Sequence, residues 1–592
     1  MKFQVYTCLA CAVIAAAGIP SASVNAASVV LTGGTIYDPL EVTGAVTVTE
    51  GENFLYSARS AIRAGSLEVY GGVLTASPFN GGSLDTSGNS ITVSGGRLGG
   101  GLIIADDETV TVTGGLFIPW SEGIIGETID NLIQTGGEVN ASDGLTAKEA
   151  FTQRGGTVSD GAIDTGTFTQ SGDGTIAAGT VVTADSVQLQ GGTIAGTLSV
   201  PGAVTVSGGT TRLTGGIVGT ADLTVAGGRL DATGTGTIDT ESGIVTVSGG
   251  TLEIDENAFN GTLVIEGGTV TGDNLAVSSI TQSGGLIAEG TTITTRTLST
   301  LSGGTIAGTL KSDSLQSTVA FMSAGTTTLT GTMGGNITVG ENATFDIAAG
   351  GFSEGQGLVS FYANLGTLNN AGIIDISGGL INEGVLRNSG AIDVGGLVRN
   401  RNSGTLQVDG TLTAGGVRST GSMITGSGVI DADVDLEVGS TIAPGNSPGT
   451  LTIDGNLSAD ASSVLAFELG GLLQGDDYDW LNVSGNVSLG QGAIFDIDYF
   501  GGFEAEAGDM FDILTGDSLS FSDLTDFAFD FADISTIGIE WSASIFDVES
   551  DRKTVRLTAS STVTPVPLPA SGVLLLGGLA GLAALRRRKR AA

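Results

Sequence analysis

Histidine is absent from this chain of 592 residues, and cysteine occurs only at Cys8 and Cys11. Zinc sites of the usual kind and nucleophiles activated by histidine are therefore excluded. Basic residues are also scarce, with 22 lysines and arginines against 62 acidic residues. So acidic a surface repels nucleic acid and anionic membranes, and we expect no nucleic-acid partner.

Aromatic residues make up only 5% of the chain, whereas glycine occurs 99 times. The hydrophobic fraction is nevertheless 40%, which is too high for a disordered protein. The apolar residues are mainly Val, Ile, Leu and Ala, and they alternate with Thr and Ser. Such alternation is typical of β-strands with one buried face, so the composition predicts an all-β fold.

The first 26 residues have the features of a secretory signal peptide. Lys2 precedes an uncharged apolar segment, Gly18 and Pro20 follow, and small residues lead to Ala26. We expect export by the Sec machinery and cleavage by signal peptidase after Ala26. The alternatives are an N-terminal anchor and a lipoprotein modified at Cys11. Cleavage would leave an exported chain without cysteine, which must be held together by an extensive or repetitive core.

A short phrase of the form apolar-x-apolar-x-Gly-Gly recurs along residues 27–352. Examples are VTVTGG from Val110, VTVSGG from Val204 and LVIEGG from Leu263. The first glycines of successive corners are at positions 95, 114, 136, 155, 172, 191, 208, 227, 249, 267, 284 and 303, with a single glycine at 172. This spacing predicts a solenoid with one coil per period, two inward side chains per strand and a glycine corner after it.

A longer similarity indicates a duplicated block of six coils within residues 27–352. The segment FTQSGDGTIAAGT from Phe168 is repeated as ITQSGGLIAEGTT from Ile280. Duplication of coils lengthens a solenoid and does not build a single active site.

The pattern changes in residues 353–425, where Asn-x-Gly turns introduce short alternating strands. NNAGIIDI, RNSGAIDV and RNSGTLQV are the examples. Residues 426–515 contain APGNSPGTLTIDGNL from Ala443, and this region resembles the end of autotransporter-type adhesin passengers. The resemblance implies a right-handed parallel β-helix with a C-terminal β cap. Phenylalanines are concentrated in residues 516–561, which we expect to form that cap and a linker.

The C-terminal residues 562–592 combine a short motif, an apolar segment and a basic cluster. The motif is Val566, Pro567, Leu568, Pro569 and Ala570, and the cluster is Arg586, Arg587, Arg588, Lys589 and Arg590. The order resembles the VPLPA variant of the PEP-CTERM sorting tails of Gram-negative bacteria. The resemblance implies a transmembrane helix with the cluster as a cytoplasmic stop-transfer signal, then cleavage near the motif by an exosortase-type protease. Permanent anchoring is the alternative.

One acidic segment is the best candidate for a site. Asp431, Asp433, Asp435 and Glu437 alternate with apolar residues, so one strand would present all four carboxylates outward. A solvated face is the simpler interpretation, calcium bridging is the second, and a carboxylate pair for glycoside hydrolysis is the third. Asp476, Asp477, Tyr478 and Asp479 are predicted to form a surface turn. Neither segment requires a cofactor or a catalytic residue.

We therefore expect a non-catalytic structural or adhesive protein of the cell surface or extracellular matrix. Its partners would be exopolysaccharide or surface glycans, and it would meet the membrane only through its tail. The alternative is a polysaccharide-active β-helix enzyme, a lyase or glycoside hydrolase. Carboxylates beside an arginine or lysine on adjacent coils would favour that alternative.

Overall fold

The computed structural model describes most of the chain. The described residues are 6–8, 11–14, 28–36, 39–55, 61–76, 82–86, 89–99, 102–104, 108–119, 127–240, 243–255, 259–313, 318–355, 361–521, 523–535, 537–548, 552–562 and 570–588. The fold is all-β, with 63% strand and 3% helix, and it contains a parallel β-solenoid of about 21 turns. The predicted parallel solenoid is thus confirmed.

The chain divides into two compact units, Met1–Leu397 and Val398–Ala592. The division falls within the strand that spans Ala391–Arg401. Strands β1 to β25 are, in order, Tyr6–Cys8, Cys11–Ile14, Ser28–Leu31, Gly34–Ile36, Leu40–Glu41, Ala45–Val48, Glu52–Leu55, Ala61–Arg63, Ser66–Val69, Val73–Ala76, Gly82–Asp85, Ser90–Val93, Arg97–Gly99, Leu102–Ile104, Thr109–Val112, Leu116–Ile118, Glu127–Gln134, Glu138–Gln153, Thr157–Ser171, Thr175–Ile176, Val181–Gln190, Gly192–Ile194, Thr197–Ser199, Ala203–Leu213 and Gly216–Thr220. Strands β26 to β50 are Asp222–Ala232, Thr237–Thr240, Ile244–Val247, Thr251–Ile254, Thr262–Ile265, Thr269–Thr271, Leu275–Val277, Ser279–Gln282, Leu286–Ile287, Thr292–Thr295, Ser299–Leu301, Gly304–Ile306, Thr309–Ser312, Thr318–Met322, Gly325–Leu329, Thr332–Gly334, Asn336–Val339, Ala343–Ile347, Phe352–Gly355, Phe361–Asn364, Thr367–Asn370, Ile373–Ile376, Gly379–Asn382, Val385–Asn388 and Ala391–Arg401.

The second unit continues the series of strands and includes two helical segments among the described residues. Strands β51 to β67 are Thr405–Val408, Thr411–Thr420, Met423–Gly426, Val429–Asp431, Val434–Leu436, Thr441–Pro444, Thr450–Ile453, Leu457–Ala459, Val464–Leu469, Trp480–Val483, Asn486–Leu489, Ile494–Tyr499, Met510–Gly516, Ser518–Leu519, Ala528–Asp530, Ile539–Asp547 and Lys553–Ser561. A 3₁₀ turn spans Ala532–Ile534, and helix α1 spans Ala570–Arg588.

Successive coils pair in parallel, with the recurring phrase of one coil beside that of the next. Val204 lies beside Leu223, Leu223 beside Val245, and Val245 beside Leu263. The register therefore advances by the spacing of the Gly-Gly corners in the sequence. Inward side chains such as Val204 and Val206 are fully buried, and burial of each stabilises the fold by about 1.5–3 kcal/mol.

The Gly-Gly corners stack directly on one another. Gly115 has a φ of +69°, and a Cβ on it would lie 2.5 Å from the carbonyl oxygen of Gly96, one coil earlier. Gly250 repeats this arrangement against Gly228. Both the backbone conformation and the close approach of the coils thus require glycine here.

Buried glutamines replace the second apolar residue of the phrase in three consecutive coils. The Gln153 amide donates to the Gln134 side-chain oxygen at 3.0 Å, and the Gln170 amide donates to that of Gln153 at 3.0 Å. Gln170 also donates to the Gly174 carbonyl at 2.9 Å. All three glutamines are fully buried. The second inward residue is therefore polar in these coils, because an amide can satisfy corner carbonyls that a hydrocarbon cannot.

Asparagines form two similar ladders near the end of the first unit. Asn364 donates to Asn382 at 2.7 Å, and Asn370 donates to Asn388 at 2.8 Å. Each donor also reaches a backbone carbonyl of the next coil. These asparagines are inward residues at the ends of strands, with at most 1% of their surface exposed, and hydrogen bonding offsets the burial of their amides.

The pairing becomes antiparallel at the C-terminal end of the second unit. Strand β63 pairs in parallel with β60, but it pairs antiparallel with β67, which pairs antiparallel with β66. Aromatic rings run from inside the coils to this end. Phe495 stacks on Phe529 at 4.6 Å, Phe529 on Phe531 at 5.8 Å, and Phe531 on Trp541 at 5.9 Å.

Candidate functional site

The acidic segment does not form the single strand that its alternation predicted. Strand β54 ends at Asp431, the chain bends, and β55 begins at Val434. Asp433 accepts hydrogen bonds from the backbone and side-chain nitrogens of Asn456 at 2.8 and 2.9 Å. Its carboxylate is therefore used to join neighbouring coils.

Two further carboxylates of the segment are engaged in the same way. Asp435 accepts a hydrogen bond from Ser458 at 2.6 Å, and Glu437 accepts one from Thr420 at 2.5 Å. Within the described residues, no group of three or more acidic, histidine or cysteine side chains could hold a metal ion. The four acidic residues alternate with buried ones as predicted, but the expected single strand is corrected to two short strands joined by a bend.

The surface turn predicted at residues 476–479 is only half correct. Asp476 is exposed, but Tyr478 and Asp479 are 5% and 2% exposed. The Tyr478 ring packs edge-on against Phe511 at 5.1 Å. Tyr478 turns inward because its ring gains more from the aromatic core than from solvent.

Asp479 ties together two backbone segments in the second unit. Its two carboxylate oxygens accept hydrogen bonds from the amides of Gly449 and Glu468, each at 2.8 Å. Burial raises the pKa of Asp479 to about 7, although these two hydrogen bonds act in the opposite direction. Asp479 is therefore a structural residue that changes its charge near neutral pH.

A charged patch that was not predicted lies on three adjacent coils of the first unit. Arg212 lies beside Asp231, and Asp231 lies beside Glu253, in consecutive parallel strands. Arg229 forms an ion pair with Glu253. Burial raises the pKa of Asp231, but hydrogen bonds from Thr233 and then the charges of Arg229 and Arg212 outweigh it, so the pKa is lowered overall.

The charged patch meets the sequence criterion for an enzyme, because carboxylates and arginines meet on adjacent coils. The patch is a set of ion pairs. Asp231, whose pKa is lowered, stays ionised and is therefore a poor general acid. The signal that could have found it is the equal distance of Arg212, Asp231 and Glu253 from their Gly-Gly corners.

A different face of the same coils carries few charges and is rich in hydroxyl groups. Its central row is formed by outward residues that lie side by side in fourteen consecutive coils. These are Thr92, Thr111, Ile133, Thr152, Thr169, Gln188, Thr205, Thr224, Thr246, Val264, Thr281, Thr300, Phe321 and Thr338. None of them is buried and none is charged.

On each strand, the outward residues two positions before and two positions after the central residue form two flanking rows. These rows are mainly Ser, Thr and Ala. Their only charged members are Arg154, Asp222 and Glu266. We call these three rows the hydroxyl face. Its uniformity contrasts with the 62 acidic residues of the whole chain.

An open hollow of about 280 Å³ lies at the antiparallel end of the second unit. Its apolar walls are the rings of Phe529, Phe531 and Trp541, and Thr525 and Ser542 contribute hydroxyl groups. The Trp541 indole donates to the Ile534 carbonyl at 3.3 Å, which fixes the ring. Aromatic walls with a few polar groups are typical of small-ligand sites.

Carboxylates gather on the strands that carry these rings. Asp496 lies beside Asp530, the residue between Phe529 and Phe531. Burial raises the pKa of Asp496, and the charges of Asp530 and Asp533 raise it further. Burial also raises the pKa of Asp498, with Asp496 and Asp533 adding to the effect. An anionic ligand is disfavoured at this end of the unit.

The predicted targeting segments are only partly within the described residues. Val566, Pro567, Leu568, Pro569, Lys589, Arg590 and Ala26 lie outside them. Ala570 begins α1, and Arg586, Arg587 and Arg588 are in its last turn. In the part of the chain that the structure describes, no helix, α1 included, is long and apolar enough to cross a membrane. The transmembrane segment expected in the tail is thus not supported.

Two strands occupy the described part of the predicted signal peptide. Tyr6–Cys8 pairs antiparallel with Cys11–Ile14, which pairs in parallel with Ser28–Leu31.

Neither models of known protein families nor curated proteins give a match to this chain.

Proposed function

We propose that this protein is an exported, non-catalytic structural and adhesive component of a Gram-negative cell surface or extracellular matrix. The hydroxyl face carries the proposal. Ten of the fourteen outward residues in its central row are threonine, so the same hydroxyl and methyl groups recur from coil to coil. Repeated weak contacts along such a face give avidity without a strong individual site.

Delivery would follow from the two ends of the sequence. The segment up to Ala26 would engage the Sec machinery and signal peptidase, and the tail would act as a VPLPA-type sorting signal. The apolar tail would hold the chain at the inner membrane until an exosortase-type protease cuts near Val566 to Ala570. The fold proper would comprise right-handed coils, closed at the C-terminal end by the antiparallel strands.

A sorting experiment tests this route. One variant lacks residues 566–592, and a second replaces Arg586, Arg587, Arg588, Lys589 and Arg590 by serine. We expect the intact chain at the surface or in the medium in a shortened form, the deletion variant in the periplasm, and the serine variant mis-sorted. A mature protein that retains its tail, or surface delivery of the deletion variant, would contradict the sorting role.

The aromatic hollow is the proposed contact for exopolysaccharide or surface glycans. The rings of Phe529, Phe531 and Trp541 offer apolar faces to the C–H face of a pyranose, and Thr525 and Ser542 offer hydrogen bonds to its hydroxyl groups. The residues that line the hollow include no carboxylate, but the acidic residues on the neighbouring strands disfavour an acidic sugar at longer range.

Glycan binding is tested with an array of neutral, amino and acidic polysaccharides. Trp541→Ala removes one wall, and Ser542→Trp fills the hollow without removing a ring. We expect both variants to lose binding by about tenfold or more. Tyr70→Ala, which removes an exposed ring from the first unit, should bind normally. Equal binding by all four proteins would exclude the hollow.

The charged patch supports the alternative, a polysaccharide-active enzyme. Incubation of the purified chain with the same polysaccharides, followed by measurement of reducing ends and of unsaturated uronates, distinguishes the two functions. We expect no product. Product that disappears in Arg229→Ala or Asp231→Asn would establish the enzyme and overturn the non-catalytic proposal.

A further inference from the structure

The hydroxyl face is an unusually uniform surface on a strongly acidic chain. Its central row contains no charged residue over fourteen coils. The face that carries Arg212, Asp231 and Glu253, in the same coils, is charged. Charged residues are therefore sparse on the hydroxyl face and frequent on the face that carries Arg212, Asp231 and Glu253.

We propose that the hydroxyl face binds the hydroxyl face of a second copy of this chain. The inference deepens the proposed function and rests on it, because each pair of copies would join two chains of the matrix. With a net charge of −40, two copies repel each other through most of their surfaces. Each hydroxyl face carries only Arg154, Asp222 and Glu266 as charged residues, so contact between two such faces adds little of this repulsion at short range.

The size of the face is sufficient for a stable contact. Fourteen coils with a rise of about 4.8 Å each give a row about 60 Å long, and outward positions two residues apart give a width of about 15 Å. Each copy would bury about 900 Å², or about 1,800 Å² in total, which falls within the range of specific protein interfaces.

The pattern of the face is also self-complementary. Both copies carry side chains at the same interval, so threonine methyl and hydroxyl groups of one row can fit between those of the other. Ile133, Val264 and Phe321 add apolar area to the central row. A two-fold arrangement places identical surfaces against each other and ends at the dimer.

Sedimentation velocity of the full chain tests the proposal. We expect wild type to dimerise with rising protein concentration, and more strongly as salt is raised from about 0.01 M to about 0.15 M, because salt screens the repulsion of the acidic surfaces. Thr205→Glu/Thr224→Glu/Thr246→Glu places three charges in the central row. This variant should have a dimer dissociation constant at least about tenfold higher.

A matched variant adds the same charge to another face. Thr157, Thr175 and Thr193 are outward residues in consecutive coils, on strands that follow the corners. Thr157→Glu/Thr175→Glu/Thr193→Glu should dimerise like wild type, and circular dichroism checks that both variants are folded. Any association through α1 is common to all three proteins.

Three outcomes would overturn the proposal. Wild type could stay monomeric at every salt concentration, or both triple variants could dimerise equally. The hydroxyl-face variant could lose binding to neutral polysaccharide while wild type remains monomeric, which would assign the face to glycans. Sorting and the Trp541 experiments do not depend on these results, so a failure here is distinguishable from a failure of the proposed function.

Discussion

The tetrapeptide Arg-Asn-Ser-Gly occurs twice, at residues 387–390 and 401–404, and adopts two different structures. In the first, Asn388 is fully buried at the end of β49 and accepts a hydrogen bond from Asn370 at 2.8 Å. In the second, Asn402 is exposed and has a φ of +55°. Identical residues thus serve as a core ladder in one place and as a turn in the other.

The residues before each tetrapeptide explain the difference. In β49, Leu386 points inward, so alternation directs Asn388 inward as well. In β50, Val398 and Asn400 are the inward residues that correspond to Leu386 and Asn388. Arg401 ends the strand, and Asn402 lies beyond it, outside the alternation of the strand. Asn400 is the buried one there and donates to the Met423 carbonyl at 2.8 Å. Strand alternation, and not the motif, therefore decides which asparagine is buried.

The largest effect on stability is expected at Leu386, the buried apolar residue just before the first tetrapeptide. Leu386→Ala should lower the free energy of unfolding by about 2–5 kcal/mol, because Leu386 is 1% exposed and its removal leaves a cavity. Denaturant unfolding followed by circular dichroism measures the change. A loss below about 1 kcal/mol would mean that the coil can collapse around the gap.

Asn388→Ala should have the next largest effect. Removing its side-chain oxygen takes away one acceptor of the buried Asn370 amide, and we expect a loss of about 1–3 kcal/mol. Asn400→Ala, measured in the same way, should behave alike, because Asn400 occupies the corresponding inward position. If Asn388→Ala were as mild as Asn402→Ala, the distinction between ladder and turn would be lost.

Asp479 extends the comparison of buried and exposed polar residues to a buried side chain that can ionise. Its pKa is about 7 in the folded chain against an ordinary value of 3.8. From about pH 4 to about pH 7 the folded chain holds a proton that the unfolded chain has released. Stability should therefore fall as pH rises through this range, by up to about 1.4 kcal/mol per pH unit, and level off above it.

Asp479→Asn should remove the contribution of this carboxyl to the dependence of stability on pH. The variant should also be less stable overall, because the amide cannot accept both backbone hydrogen bonds. The measurement is denaturant unfolding at a series of pH values. Asn388→Ala is the control, since an uncharged ladder residue should shift the whole curve without changing its slope. An unchanged slope in Asp479→Asn would show that other groups carry the pH dependence.

The smallest effects are expected at the turn. Asn402→Ala should lower stability by about 1 kcal/mol, since alanine tolerates a positive φ less well than asparagine does. Asn402→Gly should stay within about 0.5 kcal/mol of wild type, because glycine adopts this conformation freely but has more freedom to lose on folding. Denaturant midpoints resolve the two, and a glycine variant less stable than the alanine variant would contradict the assigned turn.

Much of the coil register could be predicted from the spacing of glycine pairs alone. The step from Val204 to Leu223, and from Leu223 to Val245, is the same in the strand pairing as in the sequence. Side-chain roles were harder to predict. The buried glutamines were missed, because a polar residue in an inward position is not expected without knowledge of the carbonyl that it satisfies.

The candidate sites were predicted less well than the fold. Alternation placed Asp431 and Asp435 on one continuous strand, but the bend after Asp431 interrupts it. The charged patch of Arg212, Asp231 and Glu253 was missed because its members are about twenty residues apart and become neighbours only by coiling. The aromatic hollow likewise combines residues from separate strands of the second unit.

The sequence by itself determined the repeat, the alternation of buried and outward residues and the glycine corners, because each depends on local geometry with a fixed period. Tertiary structure alone decided which hydrogen-bond partners the buried polar side chains find and which outward residues become neighbours. Asn388 and Asn400 both end an inward alternation, yet the first accepts from the Asn370 amide and the second donates to the Met423 carbonyl, and the two amides that Asp479 binds belong to separate segments. The physical reason is that hydrogen bonding and desolvation depend on the adjacent coil, which only the stacking of the chain supplies.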